Sequence, residues 1–280
     1  MRVLDNFATG RRSNLDGVDG FHLVEGDIRS TSDVGRAMNG VEAVFHLAAL
    51  PSVARSWTDP VATLAANAHG TANLIDGAEA SGVPVFIYSC SSSVYGDQEA
   101  EVKSEILEPR PISPYGYSKL LGEKLALARA GRGMRVVSLR YFNVFGARQD
   151  PKSQYSAVIP LFIKHALDGT TATIYGDGRQ SRDFTHVDNV VTANLLSLKS
   201  EATGVAVNVA CGQSHSLLEL VEAISAIHGE PLKTVFGPAR EGDIRHSLAD
   251  ISLAETQIGY CPQVTFRDGL KRTYDDYRRA

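Results

Sequence analysis

Apolar positions along the chain fall into two rhythms. Short, nearly continuous apolar runs occur at "RVLD" (2–5), "EAVFHLAA" (42–49), "PVFIYSC" (84–90) and "MRVVSLRYF" (134–142). Runs of that length with little alternation belong to strands covered on both faces. Between them, helical stretches are expected at about 31–39, 60–81 and 114–130. Strand–helix–strand repetition predicts a parallel sheet with helices on both faces. From about residue 146 the rhythm changes. Gly, Pro, Asp and Arg gather in "NVFGARQDPKSQYSAVIP" and "IYGDGRQSRDFTHVD", and helices are expected near 157–168, 188–199, 216–228 and 266–279. The expectation is an α/β chain in two parts. Residues 1–145 form a doubly wound parallel sheet, and residues 146–280 form a smaller, substrate-facing α/β unit.

Composition narrows the classes without choosing among them. At 280 residues the chain can bury a large core. Hydrophobic residues at 43% and charged residues at 21% are those of an ordinary globular protein. A net charge of -4 gives no reason to expect a nucleic-acid partner. No apolar run approaches the roughly 18 residues that a membrane helix needs, so no membrane partner is expected. Cys90, Cys211 and Cys261 are odd in number and widely spaced. They read as free thiols in a reducing cytoplasm, with neither a disulfide set nor a metal site.

The stretch "SPYGYSKLLGEKLALA" (113–128) carries the most chemistry. Ser113 can cap a helix and Pro114 suits its first turn. Tyr115 and Lys119 are four apart and so share a face. A phenol ionises near pH 10, and a neighbouring ammonium favours the phenolate, so Lys119 is expected to lower the pKa of Tyr115 and make it a general base. The spacing alone is a weak signal, because it arises often by chance. "YSCSSSVYG" (88–96) adds to it. Ser91, Ser92 and Ser93 would stand at the carboxyl end of a buried strand, the edge where ligands gather in a parallel sheet.

These stretches occur in one order with "VLDNFATG", "GDIR", "FHLAA", Asn67-x-x-Gly70-Thr71, "RYFNVFG", "DGRQSRDFTHVD" and "AREGDIRHSLAD". In that order and spacing the chain resembles an extended short-chain dehydrogenase/reductase of the nucleotide-sugar epimerase/dehydratase family, over essentially its whole length. The resemblance implies a Rossmann-type fold, NAD as cofactor, a UDP-sugar substrate and a homodimer paired through helices 60–81 and 114–130. It implies that Tyr115 is the acid/base, that Lys119 tunes it and holds the nicotinamide ribose, and that Ser91 binds the sugar oxygen. Asp5 and Asn6 would hold the adenosine ribose, Asp27 and Ile28 would flank the adenine, Leu47, Ala48 and Ala49 would line the pyrophosphate, and Asn67 would lie beside the dinucleotide. Asn143, Arg182, Arg240 and Asp243 would hold the nucleotide diphosphate and its ribose. An acid at position 5 favours NAD over NADP, although Arg11 and Arg12 are basic enough to serve a phosphate.

Within the family, dehydratases carry Asp-Glu after the active hydroxyl residue, whereas this chain has Ser92-Ser93. Epimerisation at C4 through a 4-keto sugar is therefore the expected reaction. Decarboxylation, dehydration or reduction of a nucleotide sugar, and an inactive binding protein, are the open alternatives. Ser247 resembles a gatekeeper of the sugar pocket, where a small residue leaves room for an N-acetyl group. The family's Gly-x-x-Gly-x-x-Gly loop is not found, since "GRGMRV" (131–136) precedes a strand. The expectation is that roughly 30 residues, with the first strand and helix, are missing through an internal start or a true truncation. The chain as written would then bind NAD poorly.

Overall fold

The computed structural model describes residues 1–150, 157–239 and 244–279. In chain order the first strands are β1 (Arg2–Asp5), β2 (His22–Glu25), β3 (Ala43–His46), β4 (Val85–Ser91) and β5 (Arg135–Tyr141). They are followed by β6 (Val144–Phe145), β7 (Ala172–Tyr175), β8 (Ser181–Arg182), β9 (Thr185–His186) and β10 (Val205–Val209). The last are β11 (His215–Ser216), β12 (Thr234–Gly237) and β13 (His246–Ser247). The helices are α1 (Thr31–Met38), α2 (Val53–Thr58), α3 (Pro60–Leu64), α4 (Gly70–Ala80) and α5 (Pro114–Leu127). Then come α6 (Val158–Asp168), α7 (Val187–Lys199), α8 (Leu217–His228), α9 (Ser252–Ile258) and α10 (Phe266–Arg279).

These elements make a Rossmann-like α/β fold whose chain divides into two compact units. One contains Met1–Gly96, Glu108–Arg140 and Asn194–Val207; the other contains Asp97–Leu107, Tyr141–Ala193 and Asn208–Ala280. The units are therefore interleaved, where the sequence suggests a single cut at 145/146. Residues 97–107 belong to the second unit because they are stitched into it. Lys103 N donates to Leu248 O at 2.8 Å, and Asp250 N donates back to Lys103 O at 2.9 Å. Asn208 Nδ2 bonds both Lys103 O and Asp250 O at 3.0 Å.

In the first unit a four-stranded sheet runs β10-β5-β4-β3, with β3 and β4 parallel from Ala43↔Val85 to His46↔Tyr88. Phe86, Ile87, Tyr88, Val136, Val137 and Leu139 are buried in it, as continuous apolar runs require. β1 and β2 pair in parallel as a separate two-stranded sheet, from Arg2↔His22 to Asp5↔Glu25. Ser30 caps α1, which buries Val34, Ala37 and Met38. Arg2 reaches its far end, donating to Ala37 O at 3.0 Å, where terminal carbonyls lack helical partners. The expected helix at 60–81 is α3 and α4 joined by a π turn, Ala65–His69, which carries Asn67.

The second unit is built on short pairings: β11-β8-β13, β12 with β7 and β6 with β9. Its core joins Phe145, Ile159, Ile163, Phe184, Ile224 and Leu270. A capping box of Ser216 and Glu219 starts α8, and Gly169 and Gly229 close α6 and α8. Asp183 is fully buried and ties the irregular segments together. Its carboxyl accepts from Cys211 N at 2.8 Å, Gly212 N at 3.0 Å and Ala249 N at 3.4 Å. Asn189 does the same for residues 263–264, accepting from both amides and donating to Val264 O at 2.8 Å. Among the described residues no helix is long and apolar enough to cross a membrane.

Burial pushes the Asp183 carboxyl up from 3.8 to about 6 against the pull of its amide donors. Between those values the folded chain keeps a proton that the unfolded chain has released. The contribution of Asp183 to stability is thus fully present below about pH 4 and is lost as pH rises through about 6. The stability difference between parent and Asp183→Asn, from urea midpoints, is expected to be larger near the acid end of that window than at neutral pH. A difference that grows with pH contradicts this.

Candidate active site

The first unit gathers Ser91, Tyr115 and Lys119 because α5 lies directly on the end of β4. Ser113 caps the helix, its Oγ accepting from Gly116 N at 3.1 Å, and Pro114 occupies the first turn. Two glycines permit the contact. A Cβ on Gly116 would stand 2.7 Å from Ser93 O, and one on Gly122 would stand 2.2 Å from the Tyr88 hydroxyl. Side chains at either position would lift α5 off the strand. Ser91 ends β4 and caps the short turn Ser92–Val94, accepting from Ser93 N at 3.2 Å and Ser93 Oγ at 2.9 Å. Its hydroxyl lies near enough to the Tyr115 side chain to act on its proton. Lys119 is buried, with Nζ 4.6 Å from the centre of the Tyr88 ring. That ring in turn donates its hydroxyl to Lys119 O at 3.2 Å.

The electrostatics differ from the expectation drawn from the Tyr–Lys spacing. The Tyr115 phenol is pushed up to about 12, chiefly by burial, with the nearby Ser91 hydroxyl opposing. Lys119 is pushed down to about 8, again by burial, with Cys90 and Glu123 opposing. Desolvation sets the direction of both shifts, and four-residue spacing carries no information about it.

Sequence reasoning missed His46. It is buried on β3, and its Nε2 lies 2.7 Å from Thr71 Oγ1. Thr71 donates its hydroxyl to Asn67 O at 2.5 Å, so it must accept from His46, which places the imidazole proton on Nε2. Nδ1 is buried without a partner. Burial and the Lys119 charge hold the ring neutral, its pKa pushed down to about 3. The only sequence signal was a His inside an apolar strand. Asn67 pins the segment after β3 to α5. Its amide accepts from Leu50 N at 2.7 Å and donates to Leu50 O at 3.1 Å and Ser118 Oγ at 3.0 Å. Leu47, by contrast, is 62% exposed.

A second cluster in this unit stands at the ends of β1 and β2. Asp5 Oδ1 accepts from Phe7 N at 2.7 Å, and Oδ2 faces Gly10, whose Cβ would stand 3.2 Å away. Asn6 Nδ2 donates to Asp27 Oδ2 at 2.8 Å. The Arg29 guanidinium holds the Asp27 carboxyl well below the usual carboxylate range. Ile28 is buried against Gly70. Arg12 pairs with Glu25 and lies 4.8 Å over the Phe7 ring.

The second unit holds its own group. Asn143 takes a positive φ of 35° between β5 and β6, a conformation that Asn tolerates, and its carbonyl accepts from Thr185 N at 3.2 Å. Parallel pairing of β13 with β8 sets Ser247 opposite Arg182. Both are half-buried, and Arg182 Nη1 donates to Ser181 O at 2.9 Å. Arg240 and Asp243 lie outside the described residues.

Comparison with known proteins gives one consistent picture. The model of the NAD dependent epimerase/dehydratase family matches residues 1–210. A UDP-glucose 4-epimerase of Mycolicibacterium smegmatis is 35% identical, over 98% of this chain and 90% of its own length. A UDP-N-acetylglucosamine 4-epimerase from Methanobrevibacter ruminantium, solved with UDP-N-acetylmuramic acid, superposes with a TM-score of 0.94 at 35% identity, covering 99% of this chain and 89% of that one. The Thermus thermophilus UDP-glucose 4-epimerase complex with NAD gives a TM-score of 0.90 at 33% identity, covering 100% of this chain and 91% of that one. Proteins named UDP-glucuronic acid decarboxylase and dTDP-glucose 4,6-dehydratase match as well.

Proposed function

The chain belongs to the NAD-dependent epimerase/dehydratase family, and on that premise we propose that it inverts C4 of a UDP-hexose or UDP-N-acetylhexosamine through a 4-keto sugar. The observation that carries this reading is Lys119 buried one turn beyond Tyr115 on α5, against a strand end that bears Ser91 and continues as Ser92-Ser93. Elimination needs a proton donor beside that strand end, and two hydroxyls are poor acids for the task. Inversion at C4 asks of the protein's own side chains only a reversible proton transfer at one oxygen, the electron pair being taken up and returned by the cofactor.

NAD is the family's cofactor, and the residues of the first unit fit it. Asp5 Oδ2 faces the bare backbone of Gly10, which leaves space for a ribose diol to donate to the carboxylate. Arg12, already paired with Glu25, is neutralised as a partner for a 2′-phosphate. Asn6 and Asp27 form a hydrogen-bonded pair that would sit at the adenosine end. Leu47, Ala48 and Ala49 would border the pyrophosphate, while Tyr115 and Lys119 would take the nicotinamide ribose. When bound, NAD supplies an electron-pair acceptor for C4 and a positive charge beside the phenol.

The chain's own residues would move the proton. Ser91 donates to the sugar's C4 oxygen and orders the Tyr115 hydroxyl beside it. Tyr115 takes the 4-hydroxyl proton on the way to the ketone and returns it on the way back. A phenol at about 12 holds that proton firmly at rest, so transfer awaits the added positive charge of the loaded site. In the second unit Asn143 and Arg182, with Arg240 and Asp243, would hold the nucleotide while the keto sugar turns. Ser247, opposite Arg182, would leave room for an acetamido group. We propose a homodimer paired through helices 60–81 and 114–130, on the apolar residues left exposed there, among them Val61, Leu64, Tyr117 and Leu121.

With NAD added, proton NMR of UDP-glucose and UDP-N-acetylglucosamine incubations is expected to show the C4 epimers, the N-acetyl sugar being used at least as well. Loss of water from either sugar, or of carbon dioxide from UDP-glucuronic acid in a parallel incubation, would instead place the chain with the dehydratases or the decarboxylases. Tyr115→Phe is expected to cost about 10²–10⁴-fold in turnover with nucleotide-sugar binding nearly intact, and a loss under about tenfold removes Tyr115 from the role. Ser247→Tyr is expected to shift preference toward UDP-glucose by about tenfold to hundredfold, and an unchanged preference removes Ser247 from the pocket wall. Sedimentation equilibrium is expected to give the mass of two chains; a monomer contradicts the pairing.

A further inference from the structure

Tyr115, Lys119 and Glu123 follow one another at intervals of four on α5, so they share one face of the helix. Glu123 lies at the inner end of that face and is almost wholly enclosed, with 3% of its side chain exposed. Both of its oxygens are held. Arg140 of β5 donates from Nη2 to Oε1 at 2.6 Å and from Nε to Oε2 at 3.0 Å, and Ser138 Oγ donates to Oε2 at 2.9 Å. The remaining arm of Arg140, Nη1, donates to the Tyr95 hydroxyl at 2.9 Å. Tyr95 closes the turn that begins at Ser91. The network therefore links the two elements that carry Ser91 and Tyr115.

Stability is a poor reason for such a pair. Removing two charges from water costs about as much as their attraction returns, and apolar replacements are often neutral or stabilising. The position of Glu123 relative to Lys119 offers a better one. Lys119 is an amine in the core, and burial pushes it toward neutrality. The groups facing it come from four elements. On β4 stand the Tyr88 ring and Cys90, both raised above their ordinary values by burial and so uncharged at neutral pH. Tyr115, on its own helix, is likewise protonated. His46 of β3 is neutral. Arg140 of β5 is a cation already engaged by Glu123. Cys90 opposes burial as a thiolate, and its thiol stays protonated through neutral pH, so it carries no charge there. Of the described groups facing Lys119, Glu123 supplies the negative charge.

We propose that Glu123 is a positioning residue that keeps Lys119 an ammonium inside the core, its carboxylate fixed by Arg140, Ser138 and Tyr95. This rests on the reading of Tyr115 and Lys119 as the acid/base pair, in which an ammonium at Lys119 favours the phenolate and a neutral amine does not. The removal of Glu123 would let burial act unopposed, and Lys119 would lose its proton within the physiological range.

The direct test is the titration of Lys119 in the full chain, read from the ¹³Cε resonance of labelled lysine and assigned with Lys119→Arg. The parent midpoint is expected at about 8. In Glu123→Gln it is expected to fall by about one pH unit or more, as loss of an adjacent opposite charge does. Glu123→Asp keeps the charge and is expected to restore the midpoint while sharing the loss of melting temperature. A purely structural role would lower the melting temperature in both variants and leave the midpoint unmoved in both. If Glu123→Gln does not fold, the double variant Glu123→Gln, Arg140→Met removes both buried charges, and the midpoint is expected to fall there too. An unchanged midpoint in a folded variant that lacks the carboxylate overturns the proposal. The alkaline limb of kcat/KM for C4 inversion is expected to move down with the titration. Should the parent invert no sugar nucleotide at all, the functional reading fails, while the titration still decides the role of Glu123.

Discussion

Packing α5 onto β4 sets a half-buried phenol and serine hydroxyl beside a buried amine, and most of the chemistry follows from that partial exclusion of water. Gly116 and Gly122 let the helix approach until a methyl group would collide with Ser93 O or Tyr88. The approach brings the end of β4 within reach of Tyr115 and covers Lys119 with the Tyr88 ring. Burial then raises one group and lowers the other. The two pKa values cross and separate, from an ordinary order in which Lys is marginally the weaker acid to one in which it is clearly the stronger. A site in that condition holds its proton on the phenol at rest and releases it when positive charge arrives.

The surrounding polar groups keep this arrangement in one geometry. Asn67, on its π turn, clamps the segment after β3 to Ser118 of α5. Thr71 and His46 continue that clamp into the sheet, with the imidazole neutral and its proton on Nε2. Asp183 and Asn189 play the corresponding part in the second unit, where two-residue strands are too short to order the chain alone. In each case one buried side chain satisfies several backbone groups that regular structure leaves unpaired.

Local periodicity made much of the fold legible. β1, β4 and β5 and helices α1, α5, α6, α7, α8 and α10 coincide closely with the runs read from apolar spacing. Cap chemistry set the start of α5, since Ser113 and Pro114 carry a local signal. What escaped was set by long-range contact. The 97–107 segment joins residues 208 and 248–250, a pairing that leaves no trace in local pattern. β2 and β10 went unassigned, and short pairs such as β8 with β13 have no period to detect. The candidate site divides the same way. Ser91, Tyr115 and Lys119 were readable from spacing, but the direction of the Tyr115 shift was not, because spacing reports neighbours and not desolvation. His46 and Glu123 drew no notice, as their roles depend on partners from other elements.

The central claim is that one oxidation and one reduction occur at the same carbon, with the proton handled by Tyr115. The most direct measurement follows deuterium at C4 of the UDP-sugar during inversion, with a parallel reaction of unlabelled sugar in heavy water. The account predicts that the label stays at C4 in both epimers and that no solvent deuterium enters that position. Loss of the C4 label to solvent, or inversion at C4 accompanied by solvent deuterium there, would contradict it.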